Sequence, residues 1–442
     1  MEDVMTTSTW IALGLFVVTY ALMLVFQNKR PLVACCSAFI FLILGLAGFW
    51  KMSIGSALAA VDYNVLLMIA GTMGTVTLFI DSKMPLRMSE MIIQKVPNTM
   101  WAVVSLTVFA GVISAFVDNV ATVLMVAPIG LAMCKKLGIS PVSVIISIAV
   151  SSNLQGAATL VGDTTSILLG GAANMTFLDF FFMEGKPGMF FATELGAIAS
   201  TIIVIFLFRK HKEPISATVE TQVTDYFPSV LMISNVVLLI IASFIPEPSS
   251  KLWATIWSLR NGLICTFICI VGIIYECCKS HNNAPLKSVL DNLDLDTILI
   301  LFGLFIIIEG ITAAGVIDLI ASLFYKLANG NPFLLYTLIV FISVALSAFI
   351  DNIPYVTTMI PVVASLSTMM GMKPLVFYFG LLIGATLGGN LTPIGASANI
   401  TAIGILRKNG YEVKNSDFLK IGVPFTMAAV IVGYLFIWFI WG

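Results

Sequence analysis

The chain has 442 residues, of which 59% are hydrophobic and only 10% are charged, and its formal net charge is −1. A water-soluble domain cannot bury that share of apolar surface, so the composition indicates an integral membrane protein and excludes a soluble enzyme or a basic nucleic-acid-binding protein. A spanning helix needs about 20 apolar residues, so this length accommodates roughly ten spans and their loops.

Eight uninterrupted apolar runs predict membrane-spanning helices. In chain order they are 9–27, 32–50, 63–81, 191–208, 228–245, 261–276, 296–313 and 419–441.

Four further apolar stretches are interrupted near their middle. The stretches 101–133 and 333–370 contain the pairs Asp118-Asn119 and Asp351-Asn352, which predicts re-entrant hairpins with these pairs at their tips. The stretches 141–173 and 374–406 contain glycine- and threonine-rich pieces, which predict helices broken in the membrane.

The two halves of the chain repeat. The segment Ser114–Asn119 reappears as Ser347–Asn352 at an offset of 233 residues, and the same offset pairs Gly162 with Gly395. A register held this long indicates a duplication. The predicted organisation is a first repeat at 1–210, a polar cytoplasmic linker at 211–225 and a second repeat at 226–442.

An inverted arrangement of the repeats follows if each half has five spans and each hairpin enters and leaves on one side. With both termini outside, 16 of the 22 Lys and Arg residues fall in the cytoplasm and 6 fall outside, as the positive-inside rule requires. The first hairpin then opens from the cytoplasm and the second from outside. The predicted location is the plasma membrane.

Asp118 and Asp351 are the first candidate site residues. A carboxylate deep in an apolar stretch is costly and usually faces a cavity where it binds an ion or a proton. Each is followed by an asparagine, Asn119 or Asn352, that suits the start of a helix, so the alternative interpretation is a pair of structural caps.

The broken helices supply the other candidates, because glycines there free backbone carbonyls beside hydroxyls and amides. Such oxygens suit a hard cation such as Na⁺ or a small polar solute, whereas the alternative is close helix packing through small residues. The candidates are Asn153, Thr159, Gly162, Asp163, Thr164, Asn390, Thr392, Gly395, Ser397 and Asn399.

The side chains predicted at the centre of the membrane-spanning region carry negative charge. All Lys and Arg residues are predicted near span ends, which leaves Asp118, Asp163 and Asp351 to attract cations or protons. Glu309, inside the span 296–313, is either a proton carrier or a carboxyl buried in its neutral form.

At these motifs the sequence resembles the ion transporter superfamily. The resembling segments are Ala115–Pro128, Gly156–Asp163 and Gly388–Asn399. The similar branch contains arsenical-pump permeases, NhaD-type sodium/proton antiporters and the melanosomal P protein family; citrate-transporter-like proteins and divalent anion/sodium symporters are more distant. The resemblance implies a homodimer in which a transport domain moves past a scaffold by an elevator-like motion.

The resemblance also implies two cation sites, each built from one hairpin tip and one broken helix. Their residues would be Ser114, Asp118, Asn119 and Gly162 in one site, and Ser347, Asp351, Asn352 and Gly395 in the other. The dicarboxylate branch has Ser where this chain has Asp118 and Asp351. The added negative charge weakens the expectation of dicarboxylate binding.

The predicted function is secondary active transport of a small ion or oxyanion of metalloid, Na⁺ or carboxylate type, with antiport favoured. The predicted coupling ion is H⁺ or Na⁺, and we expect no other cofactor and no catalytic residue. The predicted partners are the lipid bilayer and a second copy of the chain. The alternatives are a sodium-coupled anion or carboxylate symporter, a channel and an intramembrane aspartyl protease.

Overall fold

The computed structural model describes residues 6–214, 221–223, 225–246, 248 and 250–442. Within them the protein is mostly α-helical, with one short antiparallel ribbon of β1 (Phe182–Met183) and β2 (Lys186–Pro187). The remaining residues of the predicted linker and of the amino terminus lie outside the described part of the chain.

The helices of the first half precede residue 209. They are α1 (Thr7–Val25), α2 (Arg30–Leu46), α3 (Ile54–Ala59), α4 (Tyr63–Asp81), α5 (Met84–Lys95), α6 (Thr99–Ser114), α7 (Asn119–Leu137), α8 (Val142–Gly156), α9 (Thr164–Ala172) and α10 (Met189–Phe208).

The helices of the second half follow residue 226. They are α11 (Phe227–Ser243), α12 (Lys251–Ser258), α13 (Arg260–Ser280), α14 (Ala284–Asn292), α15 (Leu295–Ala313), α16 (Val316–Leu327), α17 (Pro332–Ser347), α18 (Asn352–Met370), α19 (Leu375–Gly388), α20 (Ser397–Lys408) and α21 (Asn415–Trp441). Helices α3 to α10 therefore have counterparts, in the same order, in α14 to α21.

Eight helices in the described residues are long and apolar enough to cross a membrane, or nine if the bent pair α16 and α17 forms one span. Two predicted spans, 32–50 and 228–245, correspond to the 17-residue helices α2 and α11, which are at the short end for a span. Large side chains such as Phe206, Phe267 and Phe439 are 58%, 61% and 79% exposed, as expected where lipid is the solvent. The chain is thus a multi-pass membrane protein.

The helices end at the positions where the apolar stretches of the sequence are interrupted. Asp118 and Asp351 are the N-caps of α7 and α18, and their carboxylates accept backbone N–H groups of the first turn. The broken helices separate into α8 with α9, and α19 with α20. The sequence did not predict the short helices α3, α5, α12, α14 and α16, which are too short or too polar to register as spans.

Two sets of helices pack by close backbone approach. Helix α4 lies against α13 at Gly71, where a Cβ would collide with the Cys265 backbone. Helix α15 lies against α2 in the corresponding way at Gly303, where a Cβ would be 2.8 Å from the Ala34 carbonyl carbon. In the second set, α6 packs on α8 and α17 packs on α19, so each hairpin lies against the broken helix of its own half.

The described start of the linker packs on the base of the first hairpin. The backbone N–H of Thr99 donates to Glu213 O at 3.0 Å, and that of Met100 donates to His211 O at 2.9 Å. These bonds satisfy amide groups at the start of α6 that have no partner within the helix. The connection between the halves therefore also caps a hairpin helix.

Candidate functional site

The first hairpin tip is the turn between α6 and α7. The Asp118 carboxylate accepts the N–H groups of Val120 at 2.9 Å and Ala121 at 3.2 Å through one oxygen, Oδ2. Its side chain is partly buried. The tip thus holds a capping carboxylate whose second oxygen, Oδ1, is not used by the cap.

The second tip, between α17 and α18, has a different electrostatic partner. Asp351 caps α18 through Oδ1, which accepts the Ile353 N–H at 3.2 Å. Its Oδ2 accepts a hydrogen bond from the Arg30 guanidinium at 3.0 Å, and the two side chains are only 11% and 17% exposed. Arg30 is the first residue of α2, at a helix end as predicted, yet its guanidinium reaches this acid.

Backbone carbonyls surround Gly162 where the first broken helix meets the first tip. A Cβ at Gly162 would be 2.6 Å from Gly156 O and 2.8 Å from both Ser114 O and Ala115 O. The Thr159 hydroxyl donates to Ala115 O. Only glycine fits beside these oxygens, and converging carbonyls are ligands that a hard cation such as Na⁺ accepts.

The second half repeats this arrangement at Gly395. A Cβ there would be 2.6 Å from Gly389 O and 2.8 Å from Ala348 O, and the Thr392 hydroxyl donates to Ala348 O. The two tips therefore share one backbone geometry, as the offset of 233 predicts.

Asp163 makes the two halves chemically unequal. It is 3% exposed and accepts a hydrogen bond from the Thr165 hydroxyl at 2.7 Å. It directly follows Gly162, which packs against Ser114 O and Ala115 O, so Asp163 adjoins the first tip. The repeat offset places Ala396 at the corresponding position of the second half. The first tip thus has two acids, whereas the second tip has one acid, Asp351, which is paired with Arg30 of the first half.

Asn153 and Asn390 join the halves. The Asn153 amide donates to Thr386 O at 2.8 Å and to Asn390 Oδ1 at 3.1 Å, and its own oxygen accepts from Asn119 at 2.8 Å. Asn390 donates to Val150 O at 2.9 Å. Both asparagines are fully buried. They were candidate ligands, and in this structure their amides cross-link the broken helices.

The hydroxyl candidates are also engaged within the protein. Ser114 Oγ lies 3.0 Å from Ser152 Oγ, Ser347 donates to Ala385 O at 2.6 Å, and Ser397 donates to Asp351 at 3.4 Å. Thr164 is a buried residue in the first turn of α9.

Two amide candidates and Glu309 complete the set. Asn399 donates to Gly389 O at 3.0 Å and to Thr392 O at 3.1 Å, and Asn352 is a buried residue at the start of α18. Glu309 is half-buried in α15, and no hydrogen bond or ion pair in the described residues joins it to a tip.

Sequence reasoning missed four residues of this region. Thr386 could have been found, because the repeat offset maps Asn153 onto it, and Ser152 and Thr165 adjoin predicted residues. Nothing in the sequence around Arg30 indicated its contact with Asp351, because the two residues are 321 positions apart.

Two cavities are lined by acidic side chains, and one of them includes Asp351. A small one of about 200 Å³ is lined by Arg30, Asp294, Asp296, Asp351 and Ser397. A larger one of about 1040 Å³ is lined by residues that include Asp62, Gly171 and Arg260. In the described residues no group of three or more His, Cys, Asp or Glu side chains is arranged to hold a metal ion.

Comparison with known proteins agrees with this architecture. The structure resembles the YdaH transporter of Alcanivorax borkumensis with a TM-score of 0.58 at 13% identity, covering 87% of this chain and 86% of that one. It also resembles Neisseria gonorrhoeae MtrF, described among antimetabolite efflux pumps, with a TM-score of 0.54 at 14% identity, covering 98% and 94%. At these identities the likeness concerns the fold alone.

Two of the sequence relatives are named as transporters. An uncharacterized transporter of Mycobacterium tuberculosis is 27% identical over 97% of this chain and 98% of its own length, and another is 31% identical over 75% of each. The P protein of Mus musculus is 24% identical over 85% of this chain and 54% of its own length.

A family model described as citrate transporter matches residues 16–284 and 252–442. These matches confirm the resemblance that the hairpin and broken-helix motifs indicate. The chain belongs to the citrate transporter family of membrane transporters.

Proposed function

We propose that this protein is a secondary active transporter that couples movement of a small ion or oxyanion to H⁺ or Na⁺ at the first hairpin tip. The observation that supports this most is the unequal charge of the two tips. Asp351 has Arg30 as a resident counter-charge, whereas no ion pair in the described residues involves Asp118 or Asp163, which adjoins the first tip through Gly162.

A pair of neighbouring carboxylates in an apolar protein is costly unless a cation or a proton compensates one of them. The carbonyls of Ser114, Ala115 and Gly156 lie beside this pair and add uncharged oxygen ligands. A proton or Na⁺ would therefore compete for the same carboxylate oxygens. Such competition is the basis of antiport, because binding of one ion releases the other.

The repeated order of helices supports an inverted-repeat transporter, with the two hairpins opening to opposite faces. In this proposal α6 to α9 and α17 to α20 form the moving transport domain. Helices α2, α4, α13 and α15, which pack through Gly71 and Gly303, belong to the scaffold. A homodimer in the plasma membrane, with both termini outside, completes the proposal.

A cation-coupled carboxylate symporter is the second candidate. Two observations favour it: the family model carries the description citrate transporter, and Arg30 places a guanidinium beside the acids. Arginine binds carboxylates in a bidentate manner, so a carboxylate substrate could compete with Asp351 for Arg30.

Flux into proteoliposomes distinguishes these candidates. Purified protein would be tested with Na⁺, arsenite and citrate under imposed pH and Na⁺ gradients. Antiport predicts that an outward proton flux accompanies substrate entry, whereas symport predicts that the coupling ion enters with citrate. Asp118→Asn and Asp163→Asn should abolish coupled flux, and the exposed Asp291→Asn should serve as the matched control. Normal coupled flux in both tip variants would refute the proposed coupling site.

A further inference from the structure

Arg30 has a counterpart in the other half of the chain. Arg30 is the first residue of α2, and Arg260 is the first residue of α13. The two helices pack in corresponding ways: α2 meets Gly303 at Ala34, and α13 meets Gly71 at Cys265. Because Gly71 and Gly303 lie in the counterpart helices α4 and α15, the two arginines occupy related positions, within one residue of register.

The surroundings of the two arginines also correspond. Arg30 lines a cavity with Asp294, and Arg260 lines a cavity with Asp62. Asp62 and Asp294 are themselves counterparts, since each is the N-cap of the helix, α4 or α15, that follows. Each arginine thus shares a cavity with the acid that caps the neighbouring scaffold helix.

The two cavities differ fivefold in size. The cavity at Arg30, where the ion pair with Asp351 is formed, has about 200 Å³, and that at Arg260 has about 1040 Å³. Two halves built on one plan give the opposite conformation by exchanging their arrangements. In that conformation the Arg260 cavity would be the small one, and the tip facing Arg260 would be the first, with Asp118.

We propose that Arg30 and Arg260 alternate as counter-charges of the two hairpin tips. Arg30 holds Asp351 in the conformation described here, and Arg260 holds Asp118 in the oppositely open one. The inference rests on the proposed transport function and adds to it the pair of contacts that stabilises each end state. A tip carboxylate loses its hydration when its side of the molecule closes, and a guanidinium at that side compensates the loss.

The consequence is that the two arginines stabilise opposite conformations. The Arg30–Asp351 ion pair stabilises the present state, so removing Arg30 shifts the equilibrium toward the other state. Removing Arg260 shifts it back. Neither effect depends on which substrate is transported.

Cysteine reactivity measures this equilibrium directly. In a background without the seven native cysteines, Ala60→Cys reports on the large cavity and Ile300→Cys on the small one. Maleimide reaction rates are measured on purified protein in the absence of Na⁺ and of any substrate. Circular dichroism and gel filtration establish that each variant is folded.

Arg30→Gln should slow labelling at position 60 and speed labelling at position 300, each by at least about fivefold. Adding Arg260→Gln to Arg30→Gln should return both rates toward those of the parent protein. The matched control is Lys29→Gln, which removes the same charge from an exposed neighbour and should leave both rates unchanged.

Unchanged rates in Arg30→Gln, or a double variant that reacts like Arg30→Gln alone, would overturn the inference. Because the assay contains no transport step, this outcome is separate from failure of the flux experiments. If coupled flux depends on Asp118 but cysteine reactivity is unaltered in Arg30→Gln, the proposed transport function stands and the arginine exchange is refuted.

Discussion

Asn153 donates a hydrogen bond to Asn390 at 3.1 Å, and this bond joins the broken helix of one half to that of the other. Asn390 in turn donates to Val150 O of the first half at 2.9 Å. The two helices are therefore held as one body at the position where each loses its regular backbone hydrogen bonds.

Asn390→Ala should destabilise the folded protein by about 1–3 kcal/mol, because it leaves the Asn153 amide and Val150 O buried without this partner. The measurement is the midpoint of thermal unfolding in detergent. Asn292→Ala is the control, because Asn292 is an exposed amide that donates to Ser288 O within its own helix. An Asn390→Ala midpoint equal to that of the control would show that the cross-link contributes no stability.

Gly162→Ala should impair transport by roughly 100-fold, because displacement of catalytic or binding groups by about 1 Å has effects of that size. The added Cβ would be 2.6–2.8 Å from three carbonyl oxygens, so the tip or the broken helix must move. Gly14→Ala is the control, since a Cβ added at Gly14 would meet no atom within 4 Å. Initial rates of coupled flux in proteoliposomes provide the comparison, and equal rates in the two variants would contradict a role for these carbonyls in transport.

Sodium binding should weaken as the pH falls, because protons compete with Na⁺ for the Asp118 and Asp163 carboxylates. Binding of Na⁺ should then release protons, and Asp163→Asn should reduce both the release and the pH dependence. Isothermal titration calorimetry in two buffers of different protonation enthalpy measures the protons released. Na⁺ binding without proton release across neutral pH would exclude antiport by competition and leave sodium symport standing.

Cysteines placed at Ser140 and Lys373 should react with impermeant reagents from opposite faces of the membrane. Both residues are exposed, and they immediately precede the repeat-related helices α8 and α19. Labelling would be done on right-side-out and inside-out vesicles in a cysteine-depleted background. Reaction of both positions from one face would refute the inverted repeat.

Much of the architecture could be predicted from sequence because lipid imposes a simple rule on helix length and composition. The breaks at Asp118 and Asp351 were visible because a charged residue in an apolar run has few structural explanations. Arg30 was not predictable, because hydropathy places it at a span end and gives no information on a contact across 321 residues. The role of Asn153 was equally hidden, since an amide can bind an ion or a carbonyl with the same atoms.

Asp163 in one half and Ala396 in the other have a consequence for the direction of transport. A carrier with two equivalent halves would work at the same maximal rate when both gradients are reversed. With the extra carboxylate in one half only, the loaded protein has different electrostatic energies in its two end states, so the forward and reverse maximal rates should differ. Such a carrier rectifies flux, and vesicles with the protein in a single orientation would show unequal saturating fluxes under mirrored gradients.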